Sequence, residues 1–397
     1  MITERSPDEL RGWLRLTLTE GLGPVGAAQL LQQLGSPRAV LASTGHTLEA
    51  LGLRPALVRR LLQPEPERLA LMEQILAWAP RTGGHLVTLA DPDYPAWLAQ
   101  IHDPPLVLYL RGERHWLKRP MLAVVGSRNA TLHGIDTATE LAAQLSQAGW
   151  TLVSGLALGI DMAAHQGALQ GPGSTLAVMG CGIDQIYPRR HQALGQQIAE
   201  QGALVSELPP GTPPAAAFFP RRNRLIAGLA QGVVVVEAAL HSGSLITARL
   251  ASEAGREVFA VPGPVRSGVS RGCHLLLREG ATLVESAADV LAVCPAPTIA
   301  QPASSRPSTG LPPSPGVLPS ASGALPPDPL QQRILAALQG GAAHPDQLAA
   351  HLGQPVHTLA AALLELELQG WLVTGAQGLL SPFQPGHQLA SAQFRLL

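Results

Sequence analysis

The apolar positions along the chain change their period twice. Over residues 1–80 they recur at helical spacing in DELRGWLRLTL, VGAAQLLQQL, RAVLAS, ALVRRLLQ and ERLALMEQILAWA, with short polar breaks between them. This predicts a small all-helical domain. From His85 to Gly112, two strand-like runs, HLVTLA and PPLVLYLRG, flank the turn DPDYP. From Met121 to Val290, short apolar runs alternate with helical stretches; the runs are LAVVG, TLVSG, STLAVMG, ALVSE, GVVVVEA, EVFAVPG and ATLV. Near-continuous apolar strands joined by helices predict a parallel sheet covered on both faces, with the His85–Gly112 runs extending it.

The pattern then breaks. Between Cys294 and Asp328 the chain is mostly Pro, Ser, Ala and Gly, which cannot bury enough surface to fold and reads as a flexible linker. Three helical patterns follow, in LQQRILAALQ, PDQLAAHL and VHTLAAALLELELQG, and then a WLVTG–GLLSP hairpin. Three helices and a hairpin make a winged-helix pattern. Its third helix carries His357, Glu365, Glu367 and Gln369 but no lysine or arginine, which favours protein contact over duplex reading. The expected fold class is therefore α/β. A Rossmann-like parallel sheet with a mixed edge forms its core, beside a helical N-terminal domain and a C-terminal winged helix. The expected boundaries are 1–80 (SAM-like or helix–hairpin–helix-like), 81–292 (Rossmann-like), 293–327 (linker) and 328–397 (winged-helix-like).

Gly21 to Gly26, GLGPVG, matches a dinucleotide-binding spacing, but no strand precedes it and Pro24 stands where a helix starts. Two readings remain. The turn either joins two packed helices or, as a helix–hairpin–helix turn, offers N–H groups to a DNA backbone; Gln29 and Gln33 beside it are poor phosphate clamps.

Charge sharpens the picture. The 397 residues carry a net charge of −1, so any anion site must be a local patch. Between Gly211 and Gly280 there are eight arginines against four acids, and Lys118 is the one lysine of the chain. Guanidinium groups suit fixed phosphate contacts. Cys181, Cys273 and Cys294 lie far apart with no CxxC, so neither zinc nor a disulfide framework is suggested. The charged first residues and the lack of a membrane-length apolar run give the expectation of a cytoplasmic chain with no membrane partner.

The carboxyl ends of the predicted strands are where an open α/β sheet binds ligands. They read Gly126-Ser127-Arg128, Ser154 to Asp161, and Gly180-Cys181-Gly182 followed by Tyr187-Pro188-Arg189-Arg190. Next come Phe219-Pro220-Arg221-Arg222-Asn223-Arg224 and His241-Ser242-Gly243-Ser244. Small residues, hydroxyls and arginines recur there, each set a candidate anion nest, and together they predict a groove for several phosphates. The glycine-ended first strand and the start of the helix after it predict one phosphate position, clamped by Arg128. Asp161 is either a helix cap or a functional acid. Glu237, His241 and Ser242 are neighbours in sequence, which does not make them a triad. Phe218 and Phe219 are expected in the core rather than stacked on bases. No Walker A loop or HExxH occurs, and no catalytic residue, cofactor or metal is expected.

The segments GSR, SGLALGIDMAAH, FPRRNRLIAGLA, VVEAALHSGSLITARLASEAGREVFAVPG and SRGCHLLLREGA resemble the DNA-processing protein A family (DprA, or Smf) over residues 85–292. The resemblance implies single-stranded DNA binding, loading of the RecA recombinase during natural transformation, and a homodimer built on the α/β domain. A single-strand-binding protein is a further expected partner. It also implies DNA contacts at Gly126, Ser127, Arg128 and Asn223, at Arg221, Arg222 and Arg224 around it, and at Arg189. The Ser242-Gly243-Ser244 nest completes the expected set. A second reading is a nucleotide-processing enzyme, because Ser242 to Glu253 is similar to Rossmann-like nucleotide phosphoribohydrolases. HSGS stands where that family has a PGG-type loop, and the surrounding arginines exceed what a mononucleotide needs.

Overall fold

Ser6 starts the first helix: its hydroxyl accepts the Glu9 N–H while the Glu9 carboxylate accepts the Ser6 N–H. The computed structural model describes residues 5–297, residues 329–338 and parts of 348–382. Six helices follow the N-terminus: α1 (Pro7–Leu18), α2 (Gly23–Leu34), α3 (Pro37–Ala42), α4 (Gly45–Ala50), α5 (Pro55–Leu62) and α6 (Pro66–Thr82). Proline in the first turn of five of them fixes a helical φ where no N–H is needed.

A nine-stranded sheet follows, with strands β1 (His85–Thr88), β2 (Val107–Gly112), β3 (Met121–Val125), β4 (Thr151–Ser154), β5 (Thr175–Val178), β6 (Ala203–Ser206), β7 (Gly232–Val235), β8 (Glu257–Ala260) and β9 (Thr282–Leu283). All nine fall within runs expected to be strands. Their spatial order is β1-β2-β6-β5-β4-β3-β7-β8-β9. The pairs β1–β2 and β2–β6 are antiparallel and the rest are parallel, which is the mixed edge.

The crossovers are α7 (Leu132–Gln147), α8 (Ile160–Ala168), α9 (Gln192–Gln201), α10 (Phe218–Leu229), α11 (Gly243–Glu253) and α12 (Arg271–Arg278); α13 (Ala287–Val293) closes the domain. Successive strand residues alternate between two cores. Ala123, Val125, Val153 and Val178 pack under α10, α11 and α12. Leu122, Val124 and Leu152 pack under α7, α8 and α13. From β3 the chain winds one way to β6, and from β7 the other way to β9. The adjacent strands β3 and β7 are therefore the topological switch point, and a crevice opens beyond their carboxyl ends.

The boundary expected at residue 80 does not separate two cores. Val107, Tyr109, Ala177, Met179 and Leu204 share one cluster with Trp13, Leu14, Leu61, Ile75 and Trp78. The Trp78 ring meets the fully buried Tyr109 ring edge-on at 6.4 Å. Each such side chain contributes about 1.5–3 kcal/mol by leaving water, so the helices cover a sheet face that would otherwise be exposed. Residues up to Ala303 accordingly form one compact unit.

Residues from Ser304 onward form a second unit. It contains α14 (Pro329–Leu338) and the antiparallel hairpin β10 (Leu372–Thr374)–β11 (Leu380–Pro382), as the wing pattern predicts. Ile334, Leu348, Leu359, Leu363, Leu366 and Leu372 make its core. Most of the expected linker (from residue 298 on) and the four polar residues of the expected third helix lie outside the described residues.

Candidate nucleic-acid interface

The crevice begins at Gly126. A Cβ there would stand 2.7 Å from Ile160 Cγ1 and 2.8 Å from the Glu237 carbonyl oxygen, so only glycine lets the β3 turn lie against both α8 and the end of β7. Ser127 O accepts the Ile160 N–H at 3.1 Å, and Ser127 Oγ accepts the Asn129 N–H at 3.1 Å. Arg128 then projects into the crevice.

The phosphate position expected at the start of α7 already holds an anion. Thr131 caps that helix, accepting the Gly134 N–H. Glu237, at the end of β7, accepts the Thr131 N–H at 3.0 Å and its hydroxyl at 2.6 Å. The positive end of α7 is thus matched by a carboxylate of the chain itself. The start of α11 differs: Ser242 caps it by accepting the Ser244 N–H, and no acid stands in its first turn. Asn223 Nδ2 donates to the Gly243 carbonyl at 3.2 Å and ties this nest to α10.

A cavity of about 420 Å³ joins these parts. Gly126, Ser127, Arg128, Asn223, Ser242, Gly243 and Ser244 all line it, and so does Asn129, which the sequence reading missed. With Arg222, which also lines it, eight of the expected positions come together.

The arginines of α10 divide. Arg222 also reaches the cavity, but it is buried; its NH1 donates at 2.6 Å to both the Gly155 and the Val178 carbonyls. A Cβ at Gly155 would fall 2.0 Å from that nitrogen, so the glycine makes room for the guanidinium. Asp161 accepts the Gly155 and Ala157 N–H groups of the loop before α8, in the field of Arg222, so it fastens that loop and does not cap the helix. Burial pushes the Asp161 carboxyl up and the Arg222 guanidinium down. Arg222 is therefore the floor of the crevice, holding the ends of β4 and β5 together, rather than an exposed clamp.

Arg224 points elsewhere. It pairs with Glu207, lies 3.2 Å from Asp103 and donates to the Asp103 carbonyl, so its charge is already matched. Arg221 is half exposed and pairs with Glu207 at 3.0 Å. Neither lines the cavity. On a helix, neighbours in sequence leave the axis about 100° apart, so the three arginines of this one turn do not all face one groove.

Arg189 lies exposed on a short turn beyond β5, beside Tyr187. Phe219 is half-buried, not a core residue. Its ring sits 5.6 Å from the Tyr187 ring, and the Arg128 guanidinium lies over it at 5.6 Å. The buried residues of α10 begin only at Arg222, so Phe219 stays out of the core and links Arg128 to Tyr187.

Two histidines shape the loop after β4. Leu156 has a φ of 55°. Its N–H donates to His165 Nε2 at 3.2 Å, and His191 Nδ1 donates to its carbonyl at 3.0 Å. Since His165 Nε2 accepts, its Nδ1–H donates to Thr175 Oγ1, whose own hydrogen goes to the Leu152 carbonyl. Burial, and after it Arg222, push His165 down to about 3. The partners of these histidines are nine or more residues away, which is why no local pattern marked them.

Glu237, His241 and Ser242 form no triad: Glu237 holds Thr131 and Ser242 holds Ser244. Among the described residues there is no cluster of three metal-binding groups, and no helix long and apolar enough to cross a membrane.

Residues 85–295 match the family described as DNA recombination-mediator protein A. The chain belongs to this family. Residues 318–378 match the DprA winged helix domain, in agreement with the α14 and hairpin core. Protein Smf of Escherichia coli is 43% identical over 302 residues, 76% of this chain and 78% of that protein. DNA processing protein DprA of Streptococcus pneumoniae is 46% identical over 205 residues, 52% of this chain and 72% of that one. A crystal structure of DNA processing protein A from S. pneumoniae superposes with a TM-score of 0.64 at 36% identity, covering 73% of this chain and 98% of that one.

Proposed function

We propose that this chain binds single-stranded DNA along the crevice and acts as a recombination mediator, protecting incoming strands and loading RecA onto them during natural transformation. One observation carries the binding: the cavity that unites the Ser127–Asn129 turn, Asn223 and the Ser242-Gly243-Ser244 nest, with Arg128 ion-paired to no carboxylate among the described residues. Ser127, Arg128 and the nest take phosphates, and Arg189 extends the path. Tyr187 and Phe219 offer stacking faces that bases of a single strand can reach and those of a duplex cannot. The RecA step rests on family membership.

The reading is non-enzymatic. The crevice has no lysine-bearing phosphate loop, and Glu237, His241 and Ser242 do not meet. A homodimer through the α/β domain belongs to the same reading, supported by the exposed apolar Leu240 and Val265 beside Leu277 and His274. So do a cytoplasmic location, action on strands covered by a single-strand-binding protein, and a winged-helix unit tethered by a linker at 293–327. The test is strand exchange with a single-strand-binding protein already on the DNA. The protein is expected to restore RecA activity there without hydrolysing nucleotide. Binding of oligothymidine with no gain for RecA rejects the mediator role, and release of base from nucleoside monophosphates favours the enzyme.

A further inference from the structure

The N-terminal helices carry a second basic cavity that the crevice does not account for. It lies between α1, α5 and α6, measures about 330 Å³, and is lined by Arg15, Arg59, Arg60 and Arg68 against Glu20 and Glu65. The four arginines differ in how they are held. Arg15 is fixed: its Nε and NH2 donate at 2.7 Å to the carbonyls of Leu61 and Leu62, at the carboxyl end of α5. Arg68 reaches Glu20 at 3.4 Å, and Arg60 makes one long bond, 3.5 Å, to the Glu20 carbonyl. Arg59 is exposed and has no partner among the described residues. One side thus holds two weakly engaged guanidinium groups and one free one, around a concave surface with a net excess of positive charge.

The GLGPVG turn borders this cavity. Glu20 lines it, and a Cβ on Gly21 would come within 4.0 Å of Arg60 NH1. On its other side the turn opens onto a groove of about 530 Å³ lined by Gly26, Gln29, Gln33 and the exposed Arg54. A Cβ on Gly23 or Gly52 would meet nothing within 4 Å, so the backbone here is open to solvent. Arginines on one helix and open backbone beside them follow a linear polyanion better than a compact one.

We propose that the cavity of α1, α5 and α6 is a second nucleic-acid contact, taking the phosphate backbone of a strand whose other part lies in the crevice. The helices and the sheet share one core, so the two sites are fixed relative to each other. Occupying both raises the affinity of long strands over short ones by making the second contact intramolecular. The inference rests on the single-strand reading of the crevice, and its test separates the two.

The experiment is fluorescence anisotropy with labelled oligothymidines of increasing length, on the full chain, comparing wild type with Arg59→Ala/Arg60→Ala and with Arg128→Ala. Wild-type affinity is expected to climb with length. The double variant is expected to keep wild-type affinity for the shortest oligomer that binds and to lose the climb several-fold. Its log–log salt slope on long oligomers is expected to be shallower by about 1.4, two contacts at about 0.7 each. Arg59→Ala alone, which removes an unpartnered exposed side chain, is expected to give about half that change and guards against misfolding of the double variant. Unchanged long-strand affinity and slope overturn the proposal, as does an equal loss at every length. Binding of an acidic peptide that Arg59→Ala abolishes, with oligomer binding unaltered, assigns the cavity to a protein and also overturns it. If Arg128→Ala is silent at every length, the crevice reading fails and the two-site proposal with it; if Arg128→Ala weakens binding while the double variant keeps the climb, the crevice reading stands and only this proposal falls.

Discussion

The Glu237 carboxylate holds Thr131 through both oxygens, one on the backbone N–H at 3.0 Å and one on the hydroxyl at 2.6 Å. The link fastens the end of β7 to the start of α7 across the switch point. It also decides which helix start at the crevice is left without an acid, because α7 is answered from within and α11 is not. A Cβ at Gly134 would sit 2.4 Å from Glu237 Cδ, so the first turn of α7 closes directly over the carboxylate.

Glu237→Gln keeps the size of this side chain and removes its charge. The cap then loses a charge-assisted bond and its complement to the helix dipole, together about 1–2 kcal/mol. Urea denaturation is expected to show that loss. Oligothymidine binding is expected to hold or tighten, since a negative charge near the crevice has gone. A large loss of affinity would place Glu237 in DNA contact.

Arg128→Ala is expected to weaken single-strand binding more than any substitution in the winged-helix unit, without changing stability, because its side chain lies at the crevice and pairs with no acid. Its salt slope is expected to fall by about 0.7 for one lost phosphate contact. Anisotropy titrations at several salt concentrations decide this.

Arg222→Leu tests the floor. It leaves the Gly155 and Val178 carbonyls without a buried donor and Asp161 without its nearby cation, at a cost of about 3–5 kcal/mol. Arg128→Ala and Arg222→Leu therefore separate: binding falls in a stable protein in the first, and the melting transition falls in the second.

His165 predicts an acid limb of stability. It ionises at about 3 in the folded chain, against 6.5 ordinarily. Between these values the unfolded chain holds a proton that the folded chain does not. The contribution is complete above about pH 6.5 and is lost by about 1.4 kcal/mol per unit as pH falls toward 3. Asp161, whose carboxyl is raised by burial, works in the opposite sense. Denaturation of wild type and His165→Asn at pH 7.5 and 5.5 isolates the histidine; the variant is expected to be less stable at both, with a shallower fall between them.

Cutting the chain after Val293 is expected to leave a folded protein that binds oligothymidine. The remaining helices and sheet belong to one compact unit, and among the described residues the clusters that build it contain none beyond Cys294. Circular dichroism and anisotropy on the truncated chain check both halves; a folded product without affinity would assign DNA binding to the winged-helix unit.

The sequence by itself determined the strands, because most are short apolar runs buried on both faces, with the edge strand β9 and the start of β8 as exceptions. It also determined that glycines, hydroxyls and arginines gather at their ends, and so the crevice residues from Gly126 to Arg128 and from Ser242 to Ser244. Tertiary structure alone decided which charges stay free. Arg222, Arg224 and Arg128 are alike in sequence. Only packing buries the first under Gly155, matches the second with Glu207 and Asp103, and leaves the third over Phe219. Partners that neutralise or orient a charge lie in other elements, at distances along the chain that no local pattern encodes. For the same reason the sequence showed five of the six N-terminal helices but not their shared core with Tyr109, nor the His165–Leu156–His191 clamp. Contact across elements follows from the sheet order, and that order is fixed by the whole chain folding at once.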